Sequence, residues 1–377
     1  MMGIGKKLDF GASVLRGVPA FATAMQSHLF RPEAKAAAEP VARPMIRTPY
    51  LLFLGDAPDA LAAKVAQGIR DWRPENAVGQ IRLPGCKANL GLADMTLEEA
   101  RSAGAQTLVI GVANRGGTMP PAWIEVLGQA LRAGYDLASG LHTLLRDQPA
   151  LVEIAEAEGR VLHDVRVPPT QYPIADGRKR AGKRCLAVGT DCSIGKMYTS
   201  LAIEAELHKR GVKADFRATG QTGIFIAERG IAIDAVIADF ISGAAEWLSP
   251  DNDPDHWDII EGQGSLFHAA FSGVTVGLIH GAQPDAMVLC HEPTRTHMRG
   301  LKHAPIPRLE DCFRPYVSLA TLTNPGAQFV GICIDTHLLE PHLAERYLKE
   351  HEDKLGLPCV DPLTTGVGPI VDRLAVL

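Results

Sequence analysis

Long apolar runs and a basic excess are both missing from this sequence of 377 residues. No stretch reaches the ~18 consecutive apolar residues that a membrane-spanning helix needs, so we expect a soluble, cytoplasmic protein. The formal net charge is -5, and a chain without surplus positive charge has little to attract the phosphate backbone of a nucleic acid. We therefore expect neither a membrane nor a nucleic acid as a partner.

Paired cysteines are missing as well. The 7 cysteines are an odd number and include no Cys-x-x-Cys pair, which is typical of reduced intracellular thiols and not of a disulfide framework. His291, His297 and His303 recur every 6 residues, a spacing that fits neither one helix face nor a usual zinc motif. We expect no metal ligands in this chain.

The length and apolar content of the chain predict two domains. Single cores usually stop growing near ~250–300 residues, and 46% of the 377 residues are hydrophobic. Residues 1–44 are predicted to be an extension outside the folded part, because residues 31–44 hold mostly Ala, Pro and charged residues. Whether Met1 or Met45 is the true start stays open.

The first half of the chain alternates short apolar strands with amphipathic helices, which predicts an α/β domain with a parallel sheet. The predicted strands are residues 51–54, 79–83, 107–112, 136–139 and 161–167, and the predicted helices are 59–71 and 122–133. This pattern indicates a Rossmann-like N-terminal domain at 45–168. The turn after its first strand, Gly55 to Pro58, lacks the Gly-x-Gly-x-x-Gly pattern, so we predict no nicotinamide site.

Residues 169–184 combine prolines, glycines and a basic cluster without periodicity, and they are predicted to be a linker to a second domain at 185–377. The basic run 178–184 is interpreted as solvated, although it could instead face a phosphate ligand.

The most informative motif follows the first strand of the second domain and opens a helix. A loop between strand and helix can point backbone N–H groups and the helix N-terminus at a phosphate, while a lysine supplies a point charge. Five residues separate the two glycines, one more than in the usual phosphate-binding loop. The predicted phosphate-binding residues are Gly189, Thr190, Asp191, Cys192, Ser193, Ile194, Gly195 and Lys196.

The position after this lysine departs from the usual pattern. It normally holds a Ser or Thr whose hydroxyl binds Mg²⁺, but here it is Met197, and Thr199 and Ser200 come too late on the helix to replace that hydroxyl directly. Hydrolysis of a magnesium-bound nucleotide is therefore a weaker hypothesis than binding of a phosphate carrier that transfers no γ-phosphoryl group.

Polar residues follow four predicted strands of the second domain, where open parallel sheets place their ligands. The candidate residues are Arg217, Thr219 and Gln221 after the first of these strands and Asp239 after the second, which is predicted at 235–238. Glu261 and His268 follow the third strand, and His291 and Arg295 follow the fourth.

These motifs resemble those of two known families. The loop together with Glu-Gly-Gln-Gly at 261–264 looks like the layout of dethiobiotin synthetases. Over about residues 49–377 the chain resembles the DgcN-type D-amino-acid (D-glutamate) N-acetyltransferases, which have a Rossmann-like N-domain and a P-loop NTPase-like parallel-sheet C-domain. The motifs that carry the second resemblance are PYLLFLGD (49–56), GVANRGG (111–117), GTDCSIGKM (189–197), FRATGQTG (216–223), DFISG (239–243), EGQGSLFH (261–268) and LCHEP (289–293).

The second resemblance implies acetyl transfer from acetyl-CoA to the amino group of a D-amino acid, with D-glutamate as the leading substrate and no essential Mg²⁺. On strand-end position and side-chain chemistry, the base candidates are Glu261, Asp239 and His268, in that order. Substrate contacts are expected from Arg217, Thr219, Gln221, His291 and Arg295, with Arg299 and Lys302 as further carboxylate partners. A homo-oligomer is compatible with the sequence.

Two other functions stay open. An ATP-dependent ligase or carboxylase like dethiobiotin synthetase would use Glu261 and Asp191 to hold Mg²⁺, and a nucleotide- or CoA-binding protein would have the loop without turnover. Residues 114–117 follow a predicted strand, where they either contact substrate or form a structural turn.

Overall fold

A computed structural model describes residues 46–113, 119–168 and 171–377. The described residues form one compact unit. The predicted extension 1–44 and the strand-end residues 114–117 lie outside the described residues. Within the described ranges, no helix is both long enough and apolar enough to cross a membrane.

The first half contains a five-stranded parallel sheet with strand order β2-β1-β3-β4-β5. Every residue of β1, β3 and β4 is buried, as expected for parallel strands that are covered on both faces. The predicted Rossmann-like α/β architecture is confirmed. The strands are β1 (Tyr50–Gly55), β2 (Ala77–Arg82), β3 (Thr107–Ile110), β4 (Asp136–Ser139) and β5 (Leu162–Asp164); the helices are α1 (Lys64–Trp72), α2 (Leu97–Ser102), α3 (Pro121–Arg132) and α4 (Pro149–Glu158).

The second half contains a six-stranded parallel sheet with strand order β11-β10-β9-β6-β8-β7. Its central strand β6 runs directly into the predicted phosphate-binding loop. The strands are β6 (Lys183–Gly189), β7 (Ala214–Arg217), β8 (Trp257–Ile260), β9 (Ala286–His291), β10 (Gln328–Ile334) and β11 (Cys359–Val360); the helices are α5 (Lys196–Lys209), α6 (Gln221–Ala227), α7 (Ile241–Leu248), α8 (Ser272–Ala282), α9 (Leu309–Ala320), α10 (Pro341–Leu355) and α11 (Gly368–Leu374).

The strand predicted at 235–238 is wrong. The chain there forms two short 3-10 turns, Ile233–Ala235 and Ala238–Phe240. Ile233 and Val236 are buried, whereas Ile237 is 71% exposed. The buried residues Ile233 and Val236 lie three residues apart, a spacing that fits 3-10 turns and not the alternation of a strand, so Asp239 follows no strand end.

The two sheets share one apolar cluster. The core of the first half continues into Leu201, Phe216, Ile224 and Phe225 of the second half. At the boundary α1 packs against α6, and a Cβ added at Gly68 would lie 2.5 Å from Thr222 Cγ2. Gly140, which follows β4, also lies close to the start of α6, since a Cβ added there would lie 2.0 Å from Gln221 Oε1. The carboxyl ends of the two sheets therefore lie next to each other.

Part of the basic run at 178–184 is not solvated. Arg184 is fully buried, and its guanidinium donates to the carbonyl groups of residues 180, 181, 182, 249 and 250. Arg180 donates to the carbonyl of Gly281 at 2.6 Å. These two arginines hold the start of β6 against the ends of α7 and α8, because backbone carbonyls that lack a helix partner need donors.

The contact between α7 and residues 173–175 gives a testable consequence for stability. A Cβ at Gly243 would lie 1.8 Å from the carbonyl oxygen of Pro173, so Gly243→Ala must displace this segment from the helix. We expect the free energy of unfolding to fall by about 1–3 kcal/mol, measured by urea denaturation. Gly273→Ala in α8 is the matched control, since nothing lies within 4 Å of its Cβ position. Equal stability of the two variants would contradict this packing.

Candidate active site

The backbone turns tightly between β6 and α5. Gly195 adopts a φ of 91° immediately before the helix, and Ser193 also has a positive φ of 51°. Glycine takes up such a conformation without the steric cost that a Cβ imposes. The helix N-terminus that follows is a suitable place for a phosphate group, because its first N–H groups have no partner within the helix.

Side chains from two other segments support the start of this loop. The carbonyl of Gly189 accepts hydrogen bonds from the hydroxyl groups of Ser265, at 2.9 Å, and Tyr316, at 2.7 Å. The backbone N–H of Thr190 donates to the carbonyl of Cys290 at 3.1 Å. The loop is thus attached to the neighbouring strand β9 and to α9 before any ligand binds.

Lys196 is buried at the start of α5, and its Nζ donates to the backbone carbonyl of Asp191 at 2.8 Å. Burial lowers the pKa of Lys196. A Cβ at Gly262 would lie 1.7 Å from the carbonyl oxygen of Ala187 and 3.1 Å from Lys196 Cδ. The absence of a side chain at Gly262 therefore makes room for this lysine beside the sheet.

Arg295 holds the outer part of the loop. Its guanidinium donates to Asp191 Oδ2 at 2.9 Å, to the carbonyl of Cys192 at 2.6 Å and to that of Ser193 at 3.0 Å. The backbone N–H of Arg299 donates to the same Asp191 oxygen at 2.8 Å. Arg295, which we expected to bind a substrate carboxylate, is thus occupied by the loop in this structure.

Glu261 lies at the carboxyl end of β8. Its Oε2 accepts from the backbone N–H groups of Thr219, at 2.8 Å, and Gly220, at 3.0 Å, and its Oε1 accepts from Gln263 Nε2 at 3.1 Å. Burial raises the pKa of Glu261 to about 7, although these backbone hydrogen bonds and the charge of Lys196 act in the opposite direction. The carboxyl group therefore changes its charge near neutral pH.

The other two base candidates have different surroundings. His268 Nδ1 accepts from the backbone N–H of Ala270 at 3.2 Å, and Nε2 lies 3.0 Å from the carbonyl of Arg299. This arrangement fits a neutral ring with its proton on Nε2, so both nitrogens are already engaged. Asp239 is exposed on its 3-10 turn. Of the three base candidates, Glu261 is the one that interacts electrostatically with Lys196.

His291 and Thr190 are brought together at the base of the loop. His291 Nδ1 lies 3.0 Å from Thr190 Oγ1, and the ring packs parallel to that of Tyr347 with an interplanar angle of 15°. Burial lowers the pKa of His291 to about 4. A neutral imidazole at physiological pH can orient the threonine but adds no charge to the site.

Arg217 is the last residue of β7, and Gln221 is the first residue of α6. The guanidinium of Arg217 forms ion pairs with Asp258 at 2.7 Å and Asp215 at 3.1 Å, so its charge is already neutralised. Gln221 begins α6, and its side chain occupies the space where Gly140 would carry a Cβ, with Oε1 2.0 Å from that position. Oε1 of Gln221 is buried without a hydrogen-bond partner among the described residues. Gln221 therefore lies at the contact between the two halves of the chain.

Met197, which stands where the usual loop has a magnesium-binding Ser or Thr, contributes to packing, and so do Thr199 and Ser200. Met197 packs against the core of the first half, Thr199 Oγ1 lies 3.4 Å from Cys290 Sγ, and Ser200 Oγ donates to the carbonyl of Ile260 at 3.4 Å. Neither hydroxyl takes the place of the missing one at the loop.

One group of potential metal ligands lies at the loop itself. Ligand atoms of Asp191, Cys192 and His268 lie within 4.8 Å of one another. Asp191 Oδ1 has no hydrogen-bond partner among the described residues, whereas His268 would have to give up one of its bonds to a backbone group before an ion could bind there.

One residue of the first half was missed by the sequence analysis. Lys64, the first residue of α1, interacts electrostatically with Lys196 and Cys192 of the loop. A lysine at the start of the first helix after β1 was the available signal, but the sequence alone did not show that the two sheets face each other.

Comparison with known proteins covers both halves of the chain. Residues 81–168 match a family model described as a domain of unknown function (DUF1611_N), Rossmann-like domain. Residues 173–371 match one described as a domain of unknown function (DUF1611_C), P-loop domain. The crystal structure of a DUF1611 family protein from Anabaena variabilis ATCC 29413 superimposes with a TM-score of 0.79 at 32% identity, covering 88% of this chain and 100% of that one.

Two curated relatives are similar over almost their whole length. A protein of Tritonibacter scottomollicae named D-glutamate N-acetyltransferase is 65% identical over 333 residues, which is 88% of this chain and 100% of the relative. A protein of Pseudoalteromonas sp with the same name is 48% identical over 329 residues, which is 87% of this chain and 99% of the relative.

Proposed function

Because the chain belongs to the DUF1611 family, we propose that it is an enzyme that transfers an acetyl group to the amino group of D-glutamate. The similarity to the Tritonibacter scottomollicae enzyme carries this proposal, since it spans that protein's full length. The motif resemblance to the D-amino-acid N-acetyltransferases implies the same activity, and the names of the two curated relatives agree with it.

We propose acetyl-CoA as the donor. CoA carries a pyrophosphate and a 3′-phosphate, either of which suits the N-terminus of α5 and the charge of Lys196. Acetyl transfer moves no phosphoryl group, so it has no need for a hydroxyl ligand to Mg²⁺ after the lysine. Met197 at that position supports a donor that is bound through its phosphates without an essential metal ion.

The proposed reaction needs two proton transfers. The ammonium group of D-glutamate loses one proton to the Glu261 carboxylate, and the free amine attacks the thioester carbonyl. A C–N bond forms and the C–S bond breaks. The leaving thiolate takes the second proton from the nitrogen, and Glu261 returns its proton to solvent. Gln221, which lies where the two halves meet, is the proposed hydrogen-bond donor to the developing oxyanion.

A thiol-release assay tests this function. Purified protein, acetyl-CoA and D-glutamate, without ATP or added metal, should release free CoA and form N-acetyl-D-glutamate in equal amounts. The L-enantiomer is the matched control and should give a much lower rate. Absence of thiol release, combined with ATP hydrolysis when Mg²⁺ is added, would rule out the acetyltransferase and favour a ligase like dethiobiotin synthetase.

The role of Glu261 predicts a pH dependence. A base must be ionised to accept a proton, and the pKa of Glu261 is about 7, so kcat should fall as the pH is lowered through about 7. Glu261→Gln should reduce kcat by about 10²–10⁴-fold and remove this part of the pH profile, measured with saturating substrates.

Glu153→Gln, on the exposed side of α4, is the control and should behave like the native enzyme. Asp239→Asn and His268→Gln test the other two base candidates. A loss in either of them as large as that expected for Glu261, with Glu261→Gln close to native, would refute the assignment of Glu261.

A further inference from the structure

Lys64 reaches the loop from the opposite half of the molecule. It begins α1, and Gly68 lies one helical turn further along the same face. A Cβ at Gly68 would lie 3.2 Å from Met197 Cε, and Met197 directly follows Lys196 in the chain. The half-buried Lys64 side chain is therefore placed at the border between α1 and the start of α5.

The groups around Lys64 are mostly cationic. Lys196, Arg299 and Arg166 interact electrostatically with Lys64, and so does the thiol of Cys192. Burial, followed by the charge of Arg299 and smaller contributions from Lys196 and Arg166, lowers the pKa of Lys64 to about 8. A lysine in these surroundings remains charged at neutral pH only against the repulsion of its neighbours.

Three of these cations have no carboxylate partner among the described residues. Arg166 is paired with Asp234. In contrast, the amine of Lys64 and the guanidinium of Arg299 make no hydrogen bond or ion pair with any described residue, and Lys196 Nζ has only the carbonyl of Asp191. Like charges brought together at a partly desolvated surface raise the free energy of the folded state unless an anion offsets them.

We propose that Lys64 binds an oxyanion of the substrates and that, with Lys196 and Arg299, it forms one anion site to which both halves of the chain contribute. The inference rests on the proposed acetyltransferase function. Two sources of the oxyanion share this chemistry, namely a phosphate group of acetyl-CoA and a carboxylate of D-glutamate. In either case, substrate binding links the Rossmann-like half to the loop of the other half.

Steady-state kinetics of three variants test this role. Lys64→Met should raise the KM for one substrate by about tenfold or more, as expected for a lost charge-assisted contact, with a smaller effect on kcat. Lys64→Arg should restore most of the affinity because it keeps the charge. Lys87→Met, at an exposed lysine of the same half, is the matched control and should have native constants. A rise in the KM for acetyl-CoA identifies the phosphate, and a rise in that for D-glutamate identifies the carboxylate.

The pH profile separates a binding role from a structural one. In the native enzyme the same KM should rise above about pH 8, as Lys64 loses its proton next to Arg299, Lys196, Arg166 and Cys192. Lys64→Arg should lack this rise, because a guanidinium stays charged throughout the range. A purely structural lysine would give the same profile in both proteins.

Calorimetric titration keeps this inference distinct from the proposed function, because it needs no turnover. The probes are inorganic pyrophosphate and D-glutamate, titrated separately into the native protein and Lys64→Met. Weaker binding of either probe by the variant supports the anion site even if acetyl transfer is not observed. The inference is overturned if native protein binds neither probe, if both proteins bind the probes equally, or if an active Lys64→Met enzyme keeps both native KM values.

Discussion

The buried amine of Lys196 is the constraint around which the rest of this site is arranged. Its Nζ has a backbone carbonyl as hydrogen-bond partner, so its charge is available to a ligand at the N-terminus of α5. The glycine at 262 leaves space for its side chain, and Arg295 fixes the loop through Asp191. Glu261 lies close enough for the lysine to affect its pKa. In the proposed function, phosphate binding and proton transfer both depend on this charge.

The residue after this lysine links the site to the fold. Where nucleotide hydrolases carry a hydroxyl that binds Mg²⁺, this chain has Met197, which packs into the apolar cluster of the first half. The position therefore contributes to the contact between α1 and the second half and not to a metal site. The same contact brings Lys64 towards the loop. Met197 is thus part of the contact between the two halves, and it supports the proposal of a donor that needs no metal ion.

Sequence periodicity was sufficient for most of the fold, because buried parallel strands are short apolar runs. β4 (Asp136–Ser139) begins and ends where it was predicted. The prediction failed at 235–238, because a short apolar run does not by itself distinguish a buried strand from the 3-10 turns that the chain forms there. The burial of Arg184 and the hydrogen bonds of His268 were also out of reach, since they depend on carbonyl groups distant in the sequence. Strand-end position placed Glu261 among the candidates, but it gave no indication of Lys64 in the other half.

The most direct test of the account is the affinity of the protein for CoA, measured by calorimetry without metal ions. Lys196→Ala removes the charge on which the site depends and should weaken binding by at least about tenfold, as expected for a lost hydrogen bond from a charged group. Lys87→Ala should bind like the native protein, and adding Mg²⁺ should change neither result. If Lys196→Ala, shown by its thermal unfolding to be folded, bound CoA as tightly as the native protein, the loop would not be the donor site.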